Sequence, residues 1–451
     1  MLNANTHPYL EAQGTFTRLV VSTHEGEGLR HEVGCNCFRL SVDLWTLRPS
    51  KYRKMREECS KLGTYEGWCV FRAGESALAR MLAGNKKITM KKSTFLLIGM
   101  LAPGLALADT NHHVYTLLNQ KSGNVVLSYV QGTNGKLKVL GQTATGGLGT
   151  GAGLGSQGGL ALSQSGRYLY AVNAGDNSVS MFSVNNGALT LLDVQKTGGN
   201  APVSVTESGG LVYVVNPGTT STPGNIQGFV NFLGELIPIP RATAPLSGVG
   251  VIPVEIKFTP NGSGLVVAEK VSNYIDTFAL DNRGIPSDVS YQISNGKTPF
   301  GFDFNSKGDL FITEAAGGAA NASTISSYSF NKQLGLTTLT RSAKTNQSAA
   351  CWDVVSPNGR FVYTGNAGSG NISGFRIGTN GTLNLIDSTG VSGITGGHTI
   401  DLTMRNDGEF LYALSSVNQV ITTFRVSASG TLTIVDTQTG LPNGTSGLVA
   451  R

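Results

Sequence analysis

The stretch PNGRFVYTGNAGSGNISGFRI, residues 357–377, decides the fold. A Pro-Asn-Gly turn opens it, an apolar run with a central aromatic follows, a small polar turn reverses the chain, and an alternating second run ends it. Alternation at period two marks half-buried strands, and Gly, Asn and Pro at the boundaries mark the turns between them. CWDVVS (351–356) comes before, and a Gly-Thr-Asn-Gly turn leads afterwards into TLNLIDS (382–388), so the unit holds four strands.

The unit repeats. Its second strand returns as HVYTLL (113–118), YLYAVN (168–173), LVYVVN (211–216), GLVVAE (264–269), DLFITE (309–314), FVYTGN (361–366) and FLYALS (410–415). The third positions, from Tyr115 to Tyr412, are spaced by 55, 43, 53, 45, 52 and 49 residues. Four strands per period of this length predict an all-β fold, a seven-bladed β-propeller of four-stranded antiparallel blades over 109–451. The first copy begins at a second strand, whereas the last residues, Ser446–Arg451, resemble only a first strand. The C-terminus is therefore expected to supply the innermost strand of blade 1 and close the ring, removing exposed sheet edges.

Composition agrees. With 60 glycines and 14 % charged residues the chain suits short strands and tight turns rather than long surface helices. The net charge of +6 lies outside the repeats: residues 1–89 hold 13 Lys and Arg against 9 Asp and Glu, while 109–451 hold 19 of each sign. A formally neutral domain lacks the footprint of a phosphate-backbone binder, so no nucleic acid partner is expected. Cys35, Cys37, Cys59 and Cys69 precede residue 90 at spacings that miss paired zinc ligands, and Cys351 stands alone afterwards. No metal and no other cofactor is expected.

From Met90 the chain reads MKKSTFLLIGMLAPGLALA: two lysines, a short apolar stretch and Ala-Leu-Ala before Asp109. This is the anatomy of a cleavable signal peptide, residues 90–108, and predicts a periplasmic or secreted protein with no stable membrane span after cleavage. Such a signal works at the start of a chain, so residues 1–89 are read as a poorly ordered, non-native upstream extension, with translation beginning at Met90.

Strands of a propeller radiate from a central channel, so equivalent positions form rings. The ends of the second strands give Leu118, Asn173, Asn216, Glu269, Glu314, Asn366 and Ser415. Asn suits such turns by satisfying backbone groups, and Glu does so less well, which singles out Glu269 and Glu314 as candidate catalytic carboxylates, against the reading of two solvated turn residues. The starts of the inner strands give Glu255, Gly301, Trp352 and Asp401, with Cys351 and His398 beside them, as a candidate channel mouth. His398 is a candidate general base or an ordinary turn histidine. The glycine-rich Gly146–Gly159 lies between blades and reads as a flexible connection, and no nucleophile elbow, phosphate loop or dinucleotide fingerprint is present.

YLYAVNAGDNSVSMFSV (168–184), the opening stretch and NDGEFLYALSSVNQVITTFRV (406–426) resemble the lactonase-type seven-bladed propellers, which include 6-phosphogluconolactonase and carboxymuconate-cyclising enzymes. The resemblance covers essentially all of 109–451 and implies metal-independent lactone chemistry by acidic, histidine and arginine side chains at the channel mouth. VVAEKVSN (266–273) matches the family's V-V-N-E-L segment and places Glu269 on its glutamate. The family's P-R-H segment corresponds to Pro253-Val254-Glu255, and the arginine of its S-N-R-G segment to Ala367, so both arginines and the histidine are replaced. The chain thus resembles a catalytically divergent branch; Arg241, in the insertion 235–245, is a candidate substitute, with Glu255, Trp352, Asp401, Asn216 and Asn366 as further substrate-binding candidates.

Two functions fit this reading. One is an exported lactonase-like hydrolase of a small lactone or carbohydrate-derived ligand. The other is a non-catalytic propeller of YVTN-type repeats that binds a glycan, a peptide or an envelope protein. The first requires Glu269, Glu314 and His398 to converge on one pocket; the second allows them to be scattered.

Overall fold

The computed structural model describes residues 112–451 and, of the preceding part, four short strands. Those strands, Val20–Thr23, Phe38–Ser41, Thr64–Tyr65 and Trp68–Phe71, form one antiparallel sheet inside a compact unit that ends at Leu105. The signal peptide read at 90–108, and the extension read at 1–89 apart from these strands, lie outside the described residues.

Residues 112–451 form seven antiparallel sheets, six of them built from consecutive strands with the first innermost. Inner strands are Leu160–Leu162, Ser204–Ser208, Pro253–Phe258, Pro299–Phe304, Ala350–Val355 and Thr399–Met404 in blades 2 to 7. Blade 1 takes its inner strand from the C-terminus. Ser446–Ala450 pairs with His112–Leu117, and Arg451 and His113 exchange backbone hydrogen bonds of 2.9 and 3.2 Å. The second strands lie where they were expected to within one residue, and Tyr168–Asn173, Leu211–Asn216, Gly264–Glu269, Phe361–Asn366 and Phe410–Ser415 match residue for residue.

Second strands are buried almost throughout because neighbouring blades cover both of their faces, so alternation gives way to continuous burial. Their repeated aromatic joins blades. Tyr213 and Tyr363 donate their buried hydroxyls to the carbonyls of Gly284 and Gly430 in the outer hairpin of the next blade, the latter at 2.8 Å. Gly430 sits at φ +91°, and a Cβ there would fall 2.6 Å from the Phe361 ring, so the turn needs glycine both for its backbone and for the close approach.

Five inner strands begin with a β-bulge, at Ser446/Leu448, Pro253/Glu255, Pro299/Phe302, Ala350/Trp352 and Thr399/Asp401. A bulge bends the strand and re-aims the side chain beside it, which sets the directions of Glu255, Trp352 and Asp401. The outer strand of blade 3, Glu235–Pro245, is the longest, and Pro238, Pro240 and Pro245 keep it from offering a continuous pairing edge.

Truncation after Thr445 removes the strand that closes blade 1. The shortened chain is expected to lose the single cooperative unfolding transition of the full-length protein in urea; an unchanged midpoint and slope would mean that the ring does not depend on this closure.

Candidate functional site

The ends of the second strands form a seam inside the blades. Asn173 accepts from Thr145 Oγ1 at 2.7 Å and donates to Ser178 and Ser180, tying the crossover from blade 1 to its own third strand. Asn216 does the same through Thr197 and Asn225, and Asn366 binds Asn371 and Ser373 at 2.8 Å each. Glu314 holds the equivalent place in blade 5. Its Oε1 accepts from Ser294 Oγ at 3.1 Å, the Gly296 amide at 2.7 Å and Ser326 Oγ at 2.6 Å, and its Oε2 from Thr324. Four donors occupy the acceptor sites of this carboxylate, which leaves little room for a hydrogen bond to a ligand.

Glu269 repeats the pattern with a partner of its own kind. It accepts from the Ser247 amide at 3.1 Å, Ser247 Oγ at 2.5 Å and Ser272 Oγ at 2.6 Å, and it faces Asp276 on the third strand. Asp276 is fully buried, and neither of its oxygens has a well-aligned donor. Burial first, and the Glu269 charge second, push its carboxyl up to about 9. Its neutral form is therefore favoured beside Glu269, in the place that the Ser hydroxyls occupy beside Asn173 in blade 2.

The second ring converges on the channel. Glu255 Oε2 accepts from the Phe302 amide of the next inner strand at 2.7 Å, and Asp303 Oδ2 accepts from the Val355 amide of the one after at 2.9 Å. Ser204 Oγ accepts from the Ile256 amide in the same way, at 3.1 Å, and the Leu402 and Leu448 amides hold Asp401. Lys257 Nζ lies 2.8 Å from Asp303 and 3.5 Å from Glu255. Asp353 is fully buried with neither oxygen partnered.

Four carboxyls and one ammonium cannot all be charged in so confined a place. Burial and the charges of Asp303 and Glu255 drive Asp353 far above its usual range, and burial with the Glu255 charge does the same to Asp401. Burial would lower Lys257, but Asp303 and Glu255 outweigh it and raise it. Glu255 falls between: burial pushes it up, Lys257 and the Phe302 amide pull it back, and it settles at about 7.

The end of the glycine-rich segment caps this group. Far from a loose connection, it sends Ser156 and Gln157 across the channel. The Gln157 amide donates to Val254 at 2.9 Å, its side chain donates to the Asp353 carbonyl at 2.7 Å and accepts from the Asp353 amide at 3.1 Å, and Trp352 Nε1 donates to the Ser156 carbonyl at 2.9 Å. A Cβ on Gly301 would lie 2.0 Å from Gln157 Oε1, so glycine there makes room for the bridge.

The other expected residues lie apart. Arg241 is exposed on the outermost strand of blade 3, with three strands between it and the channel, which rules it out as a contact there. His398 is exposed at the start of blade 7, and its backbone carbonyl accepts from Ser416. No hydrogen bond or ion pair links any two of Glu269, Glu314 and His398. Trp352 is buried, edge-on to Phe300 at 5.1 Å, and Cys351 is buried with its thiol pushed up to about 12, chiefly by desolvation. Among the described residues no three His, Cys, Asp or Glu side chains gather as a metal site, and no helix is long and apolar enough to cross a membrane.

The model of the family described as "Lactonase, 7-bladed beta-propeller" matches residues 105–222 and 250–354. The chain belongs to the lactonase-type propeller family. No curated relative matches it. Among solved structures it is similar to a candidate 6-phosphogluconolactonase from Bacteroides fragilis, at 20 % identity and TM-score 0.59 over 76 % of this chain and 99 % of that one. It is also similar to a periplasmic gluconolactonase of Pseudomonas aeruginosa, at 15 % identity and TM-score 0.60 over 75 % and 98 %. A Lactobacillus plantarum protein matches at 19 % and TM-score 0.62 over 76 % and 99 %.

Within this lactonase-type propeller, sequence reading missed Gln157, Lys257, Asp303 and Asp353. The last three stand one or two residues beyond the inner-ring positions it did select, on strands whose bulges shift the count.

Since Asp276 binds a proton in the folded state that it has lost in the unfolded chain, its contribution weakens the fold as pH rises from about 4 to 9 and levels off above. The propeller carrying Asp276→Asn is expected to gain on the wild type in urea midpoint across that window; parallel curves would show that Asp276 is ionised in the native state.

Proposed function

We propose that this propeller hydrolyses lactones in its central channel, with Glu255 as general base. The observation that carries the reading is a buried channel carboxyl poised at about 7, beside the Lys257 ammonium, in a chain of the lactonase family. A base works best when its pKa lies near the working pH, and Glu255 occupies the place where family resemblance implies a histidine. In the step proposed, Glu255 takes a proton from water, the hydroxide attacks the lactone carbonyl, and the ring C–O bond breaks. The leaving alkoxide recovers the proton and a hydroxy acid is released. Lys257 stabilises the negative charge on the tetrahedral oxygen. We retain the metal-independent route that the resemblance implies, and export through residues 90–108; isolation of an exported form beginning anywhere but Asp109 would count against the latter.

The Ser156–Gln157 bridge and the saturated Glu269 and Glu314 favour a second reading, a propeller that binds a ligand or an envelope partner without turnover.

Glu255→Gln keeps an acceptor for the Phe302 amide and so preserves the fold while removing the exchangeable proton. On a panel of sugar-derived and aliphatic lactones it is expected to lower turnover by about a hundredfold or more. Wild-type rates should rise with pH through about 7. Loss of turnover in Glu269→Gln with Glu255→Gln intact would move the base to the seam, and no turnover by folded wild type on any member would favour the binding propeller.

A further inference from the structure

Among the described residues, two lysines close to the inner strands have opposite fortunes. Lys257 is paired with Asp303 and Glu255. Lys270 is half-buried, and among the described residues no carboxylate lies within 4.0 Å of its ammonium and no hydrogen bond holds it. Its backbone is fixed by a 3.1 Å bond from its amide to the Ile252 carbonyl, and its Nζ stands 5.3 Å from the centre of the Phe300 ring. Gly155, next to the capping residues Ser156 and Gln157, overhangs it: a Cβ there would lie 3.9 Å from Nζ. Cys351, on the adjoining inner strand, shares its electrostatic surroundings.

A cation drawn out of water without a counter-ion is costly, and aromatic contact recovers only part of that cost. Burial accordingly lowers Lys270 from the usual lysine range. No described carboxylate within 4.0 Å compensates it. What would is an anion arriving with a ligand. We propose that Lys270, held over Phe300 beneath Gly155 at the channel mouth, is a binding site for a singly charged organic carboxylate. One ammonium on an apolar floor of Phe300 and Cys351, with no second cation sharing its contacts, suits one negative charge on a carbon body rather than a phosphate dianion. The inference deepens the lactonase reading and rests on it for the ligand's origin: the hydroxy acid that ring opening creates carries this group.

The test uses the full-length protein with D-gluconate, neutral sorbitol and inorganic phosphate as probes. Acetylation of Lys270, read by mass spectrometry of its peptide, is expected to slow with gluconate and not with sorbitol or phosphate. By calorimetry, Lys270→Met should weaken gluconate binding by about tenfold or more and Lys270→Arg should restore most of it. Protection by phosphate alone, equal protection by sorbitol, or wild-type affinity in Lys270→Met overturns the site; if the methionine variant misfolds, the acetylation measurement decides. Lysine-dependent gluconate binding without lactone turnover would sink the hydrolase reading and leave the site standing, and turnover with Lys270 unprotected would do the reverse.

Discussion

The innermost strand of each blade has one edge with no strand beside it. In a ring of seven sheets these edges line the channel, and their backbone N–H groups must find acceptors or remain unsatisfied in a dry interior. Here three of the acceptors come from the preceding blade, Ser204 for Ile256, Glu255 for Phe302 and Asp303 for Val355, while Gln157 reaches across the channel to serve Asp353. The ring is thereby stitched from blade to blade at its narrowest point, in addition to the apolar packing between second strands.

That solution has an electrostatic consequence. Using carboxylates as edge acceptors concentrates acid in a largely buried place, so Asp353 and Asp401 are driven well above the usual carboxyl range and Glu255, raised by burial, is pulled back by Lys257 to about 7. A group placed to satisfy an amide becomes a proton acceptor near pH 7. Under the proposed function, structural and chemical roles would fall on this one side chain.

The fold was legible in the sequence because its signals are local and repeated seven times. Each Tyr or Phe at the strand centre, each flanking glycine turn and the half-repeat at Ser446–Arg451 reports on a neighbour at fixed spacing. The site was legible in part. Glu255, Trp352 and Asp401 could be selected by position in the repeat, but bulges displaced the count enough to hide Lys257, Asp303 and Asp353. Glu269 and Glu314 drew notice as charged residues among asparagines, yet their partners, Ser247, Asp276, Ser294 and Ser326, lie on other strands and crossovers that no spacing rule identifies. Gln157 reaches Asp353 across 196 residues, a contact set by ring closure alone.

The proposed chemistry depends on Glu255 exchanging its proton near neutrality inside the folded channel. Infrared difference titration of the carboxyl band, wild type against Glu255→Gln, tests it directly. A carboxyl that ionises at about 7 and is missing from the variant is expected; a Glu255 signal ionising at the ordinary value of about 4.3 would remove the base from the channel.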